Sequence, residues 1–287
     1  MTAGEAEQAG AGQAGEAVRA GEAMRRLPGP QPRRRSLKER LAAGERLYGA
    51  LVRLPSETLV EMAGVAGLDY VVIDCEHGPA DTALLQHHLT AAAAQGIDVL
   101  VRVGTAEPAL VLRCLDLGAA GIIHPHVDDA QDARRAVASV HYPPLGTRGF
   151  ATYSRAGRFG TVAAADHVAA SRDALVVVMI ETERACAAAA EIAATEGVDA
   201  VLVGPADLAA DCAFPGQDTV DALVTTAHRA TREAGRAVMA IVPGTEAARA
   251  AERGGAQLVL YNMAHVLMDT FKSLAAPVPG QGQSPRA

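Results

Sequence analysis

The chain has no tryptophan, and aromatic residues make up only 3% of it, so any core must be aliphatic. It is nearly without lysine: Lys38 and Lys272 are the only two, and every other basic residue is an arginine. Covalent imine chemistry needs a lysine at a reactive strand end. Lys38 precedes the first strand-like stretch and Lys272 falls in the last helix-like one, so that route is disfavoured. No apolar run approaches the roughly 18 residues of a membrane span, and no signal-peptide core is visible. The cysteines Cys75, Cys114, Cys186 and Cys212 form no Cys-x-x-Cys pair. They read as reduced thiols of a cytoplasmic protein. No Walker A sequence occurs, so a nucleotide cofactor is not expected. A net charge of -7 offers no basic face for nucleic acid.

What is present is an apolar fraction of 49% in 287 residues, enough for one large core. Residues 1–35 are rich in Ala, Gly, Glu and Gln and end in Arg33-Arg34-Arg35. They read as a disordered tail, as does 277–287. Between the tails, residues 36–276 alternate strand and helix. Expected strands are Leu47–Val52, Leu68–Asp74, Asp98–Val103, Ala120–His124, Ala174–Glu181, Val198–Val203, Ala237–Val242 and Gln257–Tyr261. Helices are expected between them, with one loop-rich interruption over His141–Gly160. Such alternation predicts a parallel sheet. Eight units predict an α/β fold closed as a (β/α)8 TIM barrel.

Ligands of such barrels bind at the carboxyl ends of the strands. Val198–Asp207 is an apolar strand stopped by Gly204-Pro205, with Asp207 just beyond. The preceding strand ends in Glu181, one barrel unit earlier. Two acids on successive strand ends suit a divalent cation such as Mg²⁺, which keeps waters and takes further ligands from substrate. The alternative is a helix cap at Glu181 and a turn at Asp207. His77 stands beside Asp74 and Glu76 and reads either as a general base or as a structural histidine. Arg102, on an otherwise apolar strand, is too costly to bury unpaired and is expected to face the mouth, where it can stabilise an oxyanion. Of His124 and His126, one side chain is expected to enter the mouth; His126 is the candidate for substrate lining. His87 and His88 read as surface residues. Arg148, in Tyr142–Gly149, reads as an anchor for an anionic substrate end or as a subunit contact. Gly-Pro-Ala-Asp also occurs at 78–81, where Asp81 reads as a helix N-cap.

With these residues in place, the sequence resembles the class II, metal-dependent 2-oxo acid aldolases of the 4-hydroxy-2-oxoheptanedioate aldolase (HpcH/HpaI) type. The resemblance rests on Tyr70–Pro79, Val101-Arg102-Val103, Gly121–Val127, Tyr142–Gly149, Val178–Thr182 and Gly197–Leu208, in that order along the chain. It implies the phosphoenolpyruvate/pyruvate type of barrel. It implies a divalent cation (Mg²⁺, Mn²⁺ or Co²⁺) on Glu181 and Asp207, with Glu76 holding a water on it. Asp74 and His77 would form the base dyad, and Arg102 would face the 2-oxo oxygen. Backbone around Gly204, Pro205 and Ala206 would hold the substrate carboxylate. The resemblance also implies a homo-oligomer, hexamer or trimer. The expected reaction is reversible aldol cleavage of a 4-hydroxy-2-oxo acid to pyruvate, or a related 2-oxo acid, and an aldehyde, with no nucleic-acid or membrane partner. The alternatives are an acyl-CoA lyase of malyl or citryl type, a decarboxylase or carbon–carbon bond-forming biosynthetic enzyme, and a non-catalytic binding barrel.

Overall fold

A computed structural model of the chain describes residues 35–79 and 81–275. The expected tails lie outside the described residues, but for Arg35. Strands β1 (Leu47–Val52), β2 (Tyr70–Asp74), β3 (Asp98–Arg102), β4 (Gly121–His124), β5 (Leu175–Ile180), β6 (Ala200–Val203), β7 (Ala237–Val242) and β8 (Leu258–Asn262) pair in sequence order. All pairings are parallel, and β8 closes on β1 to make the barrel. The helices, in chain order, are α1 (Leu37–Ala42), α2 (Glu57–Val65), α3 (Thr82–Gln95), α4 (Pro108–Asp116), α5 (Ala130–Val140), α6 (Ala164–Ser171), α7 (Glu183–Ala187), α8 (Ala189–Ala194), α9 (Pro205–Asp211), α10 (Gln217–Glu233), α11 (Thr245–Arg253) and α12 (Met263–Ala275). Among the described residues no helix is long and apolar enough to cross a membrane.

The strands read as unbroken apolar runs because both faces are buried. Successive side chains point to opposite faces, and two hydrophobic clusters result. Leu47, Leu51, Tyr70, Val72, Leu100, Ile123, Val177 and Met179 fill the lumen. Val71, Ile73, Val99, Val101, Ile122, Val176 and Val178 pack outward under the helices. Tyr70 is the one aromatic ring in the lumen cluster, and its hydroxyl donates to the Val259 carbonyl at 3.2 Å. The ring has room because Gly49, on the neighbouring strand, has no side chain; a Cβ there would overlap it.

The floor of the lumen is α1, which the sequence reading does not contain. Ser36 and Glu39 form a capping box at its start. Leu37 and Leu41 enter the lumen cluster. Lys38 pairs with Asp199 at 3.0 Å and Arg40 with Asp69 at 2.7 Å, tying the helix to the starts of β6 and β2.

Other departures are local. The expected Arg184–Ala194 helix is two helices that meet at Ala188. The helix α9 follows Gly204 directly, where a turn was expected. A helix not expected, α6, stands between the loop-rich segment and β5. His87 is exposed, but His88 is buried, because the apolar face of α3 turns it inward beside Leu85, Leu89 and Ala92. Asp81 caps α3, accepting the Leu84 amide at 2.8 Å. All four cysteines are free.

The Gly49–Tyr70 contact generates a stability prediction. Gly49→Ala should destabilise the fold by about 1–3 kcal/mol, the usual cost of overpacking. In Gly49→Ala/Tyr70→Leu much of that cost should disappear. Urea unfolding of the four proteins measures the coupling, and additive losses would contradict the overlap.

Candidate active site

Strand alternation carries past the last paired residue. Tyr70 and Val72 face the lumen, so Asp74 does too; Leu100 is followed by Arg102, and Leu47 and Leu51 by Arg53. Asp74 and Arg102 are partners in the β2–β3 register. Val52 is level with Ile73, which brings Arg53 level with Asp74. Register and alternation together therefore place one carboxylate between two guanidiniums at the top of the lumen.

Asp74 is fully buried, and its oxygens are saturated. Arg102 Nε donates to one at 2.9 Å and Nη2 to the other at 2.6 Å. Arg53 Nε donates at 2.6 Å. The amides of Glu76 and His77 each donate at 3.2 Å. Burial alone would raise the Asp74 pKa, but the arginines and the His77 amide outweigh it and hold the group below the usual aspartate value. Arg102 answers in kind: burial works against its charge, yet Asp74, Glu76 and Glu181 keep its pKa above the ordinary arginine value.

Around this pair stand the other acids. Glu76 Oε2 lies 3.1 Å from Arg102 Nη1, yet it is buried with no aligned hydrogen bond. Glu181 Oε2 accepts the His126 amide at 2.8 Å, while its Oε1 is buried with no partner. Burial pushes the Glu181 pKa up to about 6, with the Asp207 and Glu76 carboxylates adding to it against the pull of His126. Asp207 lies half-buried in the first turn of α9. The amides of Ala206 and Asp207 precede the first intrahelical bond, from Leu208 N–H to the Gly204 carbonyl at 3.0 Å, and are free for an anion. Gly204 makes the space: a Cβ there would stand 2.9 Å from Glu181 Oε1 and 2.7 Å from Met179 Cε.

The imidazoles sit at the rim. The His126 ring bridges the two acids, with Nε2 3.4 Å from Glu76 and Nδ1 3.2 Å from Glu181. Its backbone is left-handed, at φ 53°, which turns the ring inward. His124 takes the other direction, and burial lowers its pKa to about 4. The His77 ring is about half exposed and lies 3.9 Å from Glu76. It does not touch the Asp74 carboxylate, which meets His77 only at its amide. The expected side-chain dyad is thus not formed in this structure, because the two arginines and the two amides occupy the oxygens. Cys75 is no nucleophile here: burial and the neighbouring Asp74 charge raise its thiol to about 11.

Arg148 requires a correction, since it is not at the mouth. It is buried at the opposite end of the barrel, bonded to Asp116 at 2.6 Å and stacked on Tyr142 at 4.8 Å. The reason is topological: α5 runs back against the strands, so the segment after it lies beneath them. Conversely, Arg53 was missed. Its signal was its place, two residues past lumen-facing Leu51.

The donor set fits a divalent cation. Four carboxylates, Asp74, Glu76, Glu181 and Asp207, face two guanidiniums, an excess of two negative charges. Glu181 presents a buried, unpartnered oxygen, and Glu76 a buried one that is ion-paired with Arg102 but has no aligned hydrogen bond. Among the described residues no three His, Cys, Asp or Glu side chains converge as a closed cage. A hard cation held by few carboxylates and completed by water or substrate needs none.

The comparisons agree with this architecture. Residues 48–260 match the family model of the HpcH/HpaI aldolase/citrate lyase family. The chain is 38% identical over 180 residues to a pyruvate aldolase of Rhizobium etli, covering 63% of this chain and 70% of that one. It is 41% identical over 174 residues to a 5-keto-4-deoxy-D-glucarate aldolase of Salmonella paratyphi A, covering 60% and 67%. The crystal structure of a protein of the same family from Burkholderia cenocepacia superposes with a TM-score of 0.78 at 34% identity, over 83% of this chain and 97% of the other.

The elevated Glu181 pKa has a measurable consequence in metal-free protein. A carboxyl whose folded pKa is raised contributes stability while protonated. That contribution is complete below its ordinary value of 4.5 and is lost as pH rises through about 6. In EDTA, the stability of the wild type relative to Glu181→Gln should fall across that window. A difference that stays flat in urea unfolding from pH 4 to 7 would contradict it.

Proposed function

The chain belongs to the HpcH/HpaI aldolase/citrate lyase family and is a carbon–carbon lyase, and from that premise we propose that it cleaves a 4-hydroxy-2-oxo acid reversibly to pyruvate, or a related 2-oxo acid, and an aldehyde. The observation that carries this reading is the buried, unpartnered Glu181 oxygen, with Glu76 close by on the fixed guanidinium of Arg102. The names of the relatives, a pyruvate aldolase and a 5-keto-4-deoxy-D-glucarate aldolase, support a 2-oxo acid as the shared half of the substrate.

In this reading Glu181 and Asp207 would hold a divalent cation, with Glu76 beside them. The cation, when bound, supplies Lewis acidity at the 2-oxo oxygen. The first-turn amides of Ala206 and Asp207 receive the substrate carboxylate. Arg102, locked by Asp74, presents a preorganised positive charge to the same oxygen as negative charge gathers there. Such a group costs no reorganisation at the moment of reaction, because Asp74 already fixes its Nε and Nη2.

His77 takes the proton of the 4-hydroxyl. The C3–C4 bond then breaks, its electrons pass to the 2-oxo oxygen, and the aldehyde leaves. C3 takes a proton in turn and His77 gives up the one it received, so the 2-oxo acid forms with no net change in protons. Asp74 acts on His77 through the backbone: it pins the amides of Glu76 and His77 and so fixes the loop from which the imidazole projects. Asp74 is a positioning residue here, and His77, half exposed, is free to exchange its proton with water.

Cleavage and condensation assays with pyruvate, oxaloacetate and a panel of aldehydes test the reading. EDTA should abolish turnover, and Mg²⁺, Mn²⁺ or Co²⁺ should restore it. His77→Ala should lower kcat by about 10²–10⁴-fold, the range of a general base, with circular dichroism unchanged. Borohydride with pyruvate should leave no covalent adduct; an adduct, or full turnover by His77→Ala, would overturn the mechanism.

A further inference from the structure

The mouth leaves unused the Tyr142–Gly149 stretch that stood out in the sequence. It lies beneath the barrel, anchored by Arg148 to Asp116 and by the Tyr142 hydroxyl to His167 Nε2 at 3.1 Å. With that anchoring, Pro143, Pro144 and Leu145 form one wall of a cavity of about 210 Å³. Lys38, from the helix that floors the lumen, and Arg172, just past α6, also line it.

The charge of this cavity is unusual for the chain. Its lining contains two cationic side chains and no Asp or Glu, in a protein with a net charge of -7. Lys38 has Asp199 as a partner at 3.0 Å, yet its side chain remains 31% exposed. Arg172 is exposed and makes no ion pair among the described residues. His141 also lines the cavity. It is only 3% exposed, and its Nε2 has no hydrogen-bond partner. A buried polar atom left unsatisfied is costly, and a ligand that satisfies it gains. Burial first, and then the charges of Lys38 and Arg148, lower the His141 pKa to about 4, so the ring is neutral at pH 7. A neutral imidazole protonated at Nε2 can donate a hydrogen bond without adding a third charge.

We propose that this cavity beneath the barrel binds a small organic oxyanion, a carboxylate or phosphate monoester on a short apolar body. Arg172 supplies a planar fork matched to two oxygens, Lys38 a point charge, and His141 Nε2 a donor to a further oxygen. Pro143, Pro144 and Leu145 pack against the apolar body. The site is at the far end of the barrel from Glu181 and Arg102, so its occupancy does not depend on the proposed lyase chemistry.

Calorimetric titration with butyrate, butyl phosphate and inorganic phosphate, at constant ionic strength and with the mouth saturated by Mg²⁺ and oxalate, tests this. Saturable binding of butyrate or butyl phosphate is expected, tighter than inorganic phosphate, and the tighter of the two names the source. Arg172→Ala should weaken it about tenfold, the loss of one charge-assisted contact, with lyase turnover unchanged. In ¹⁵N-histidine spectra of the wild type, the His141 signal, assigned with His141→Gln, should move on titration. No saturable binding, equal binding by Arg172→Ala, or movement confined to His77 and His126 would each overturn the proposal.

Discussion

One carboxylate gripped by two guanidiniums sets the geometry of the mouth. Neither Asp74 nor Arg102 is tolerable at the top of a dry lumen without the other, since an isolated buried charge costs several kcal/mol. Together they satisfy each other and leave one guanidinium nitrogen of Arg102 directed at Glu76. Arg53 braces the pair from the next strand. The remaining Asp74 bonds draw in the amides of residues 76 and 77. The position of Glu76 and the base of His77 therefore follow from a pairing decided by the β2–β3 register.

The acids opposite are arranged on the contrary principle. Asp74 is saturated, whereas Glu181 keeps an oxygen idle in a place where water does not reach it, and Glu76 has one held only by an unaligned ion pair. Gly204 gives up a side chain to permit this, and His126 accepts a left-handed backbone to lie between the two acids. Idle buried acceptors and unfavourable backbone lower stability and are found where a ligand completes the structure. The barrel below, aliphatic and buried on both faces of its sheet, is rigid enough to hold such a site open.

Much of this was legible in advance. The barrel follows from eight apolar runs at regular spacing, and the acids and Arg102 follow from their places at strand ends. Alternation alone would put His124 and His126 on one face; the left-handed backbone at His126 is what separates them. The bond partners were less accessible. Nothing in the order of Asp74, Glu76 and His77 says that two arginines from flanking strands will outcompete the imidazole for the carboxylate. Arg53 needed alternation to be carried beyond the strand it follows. Arg148 was misplaced for a different reason: its charge suggested a substrate, while its position after a helix already put it at the wrong end. His88 was misjudged because a helix of small and apolar residues, such as Thr82–Gln95, gives a histidine little polar surface against which to be told apart.

The floor helix carries a lesson about boundaries. The family model matches residues 48–260, and α1 lies wholly before that span. Yet Leu37 and Leu41 belong to the lumen cluster, and two ion pairs rivet the helix to the strand starts. A chain trimmed to the matched span would keep the charged groups of the mouth and open its own base to water.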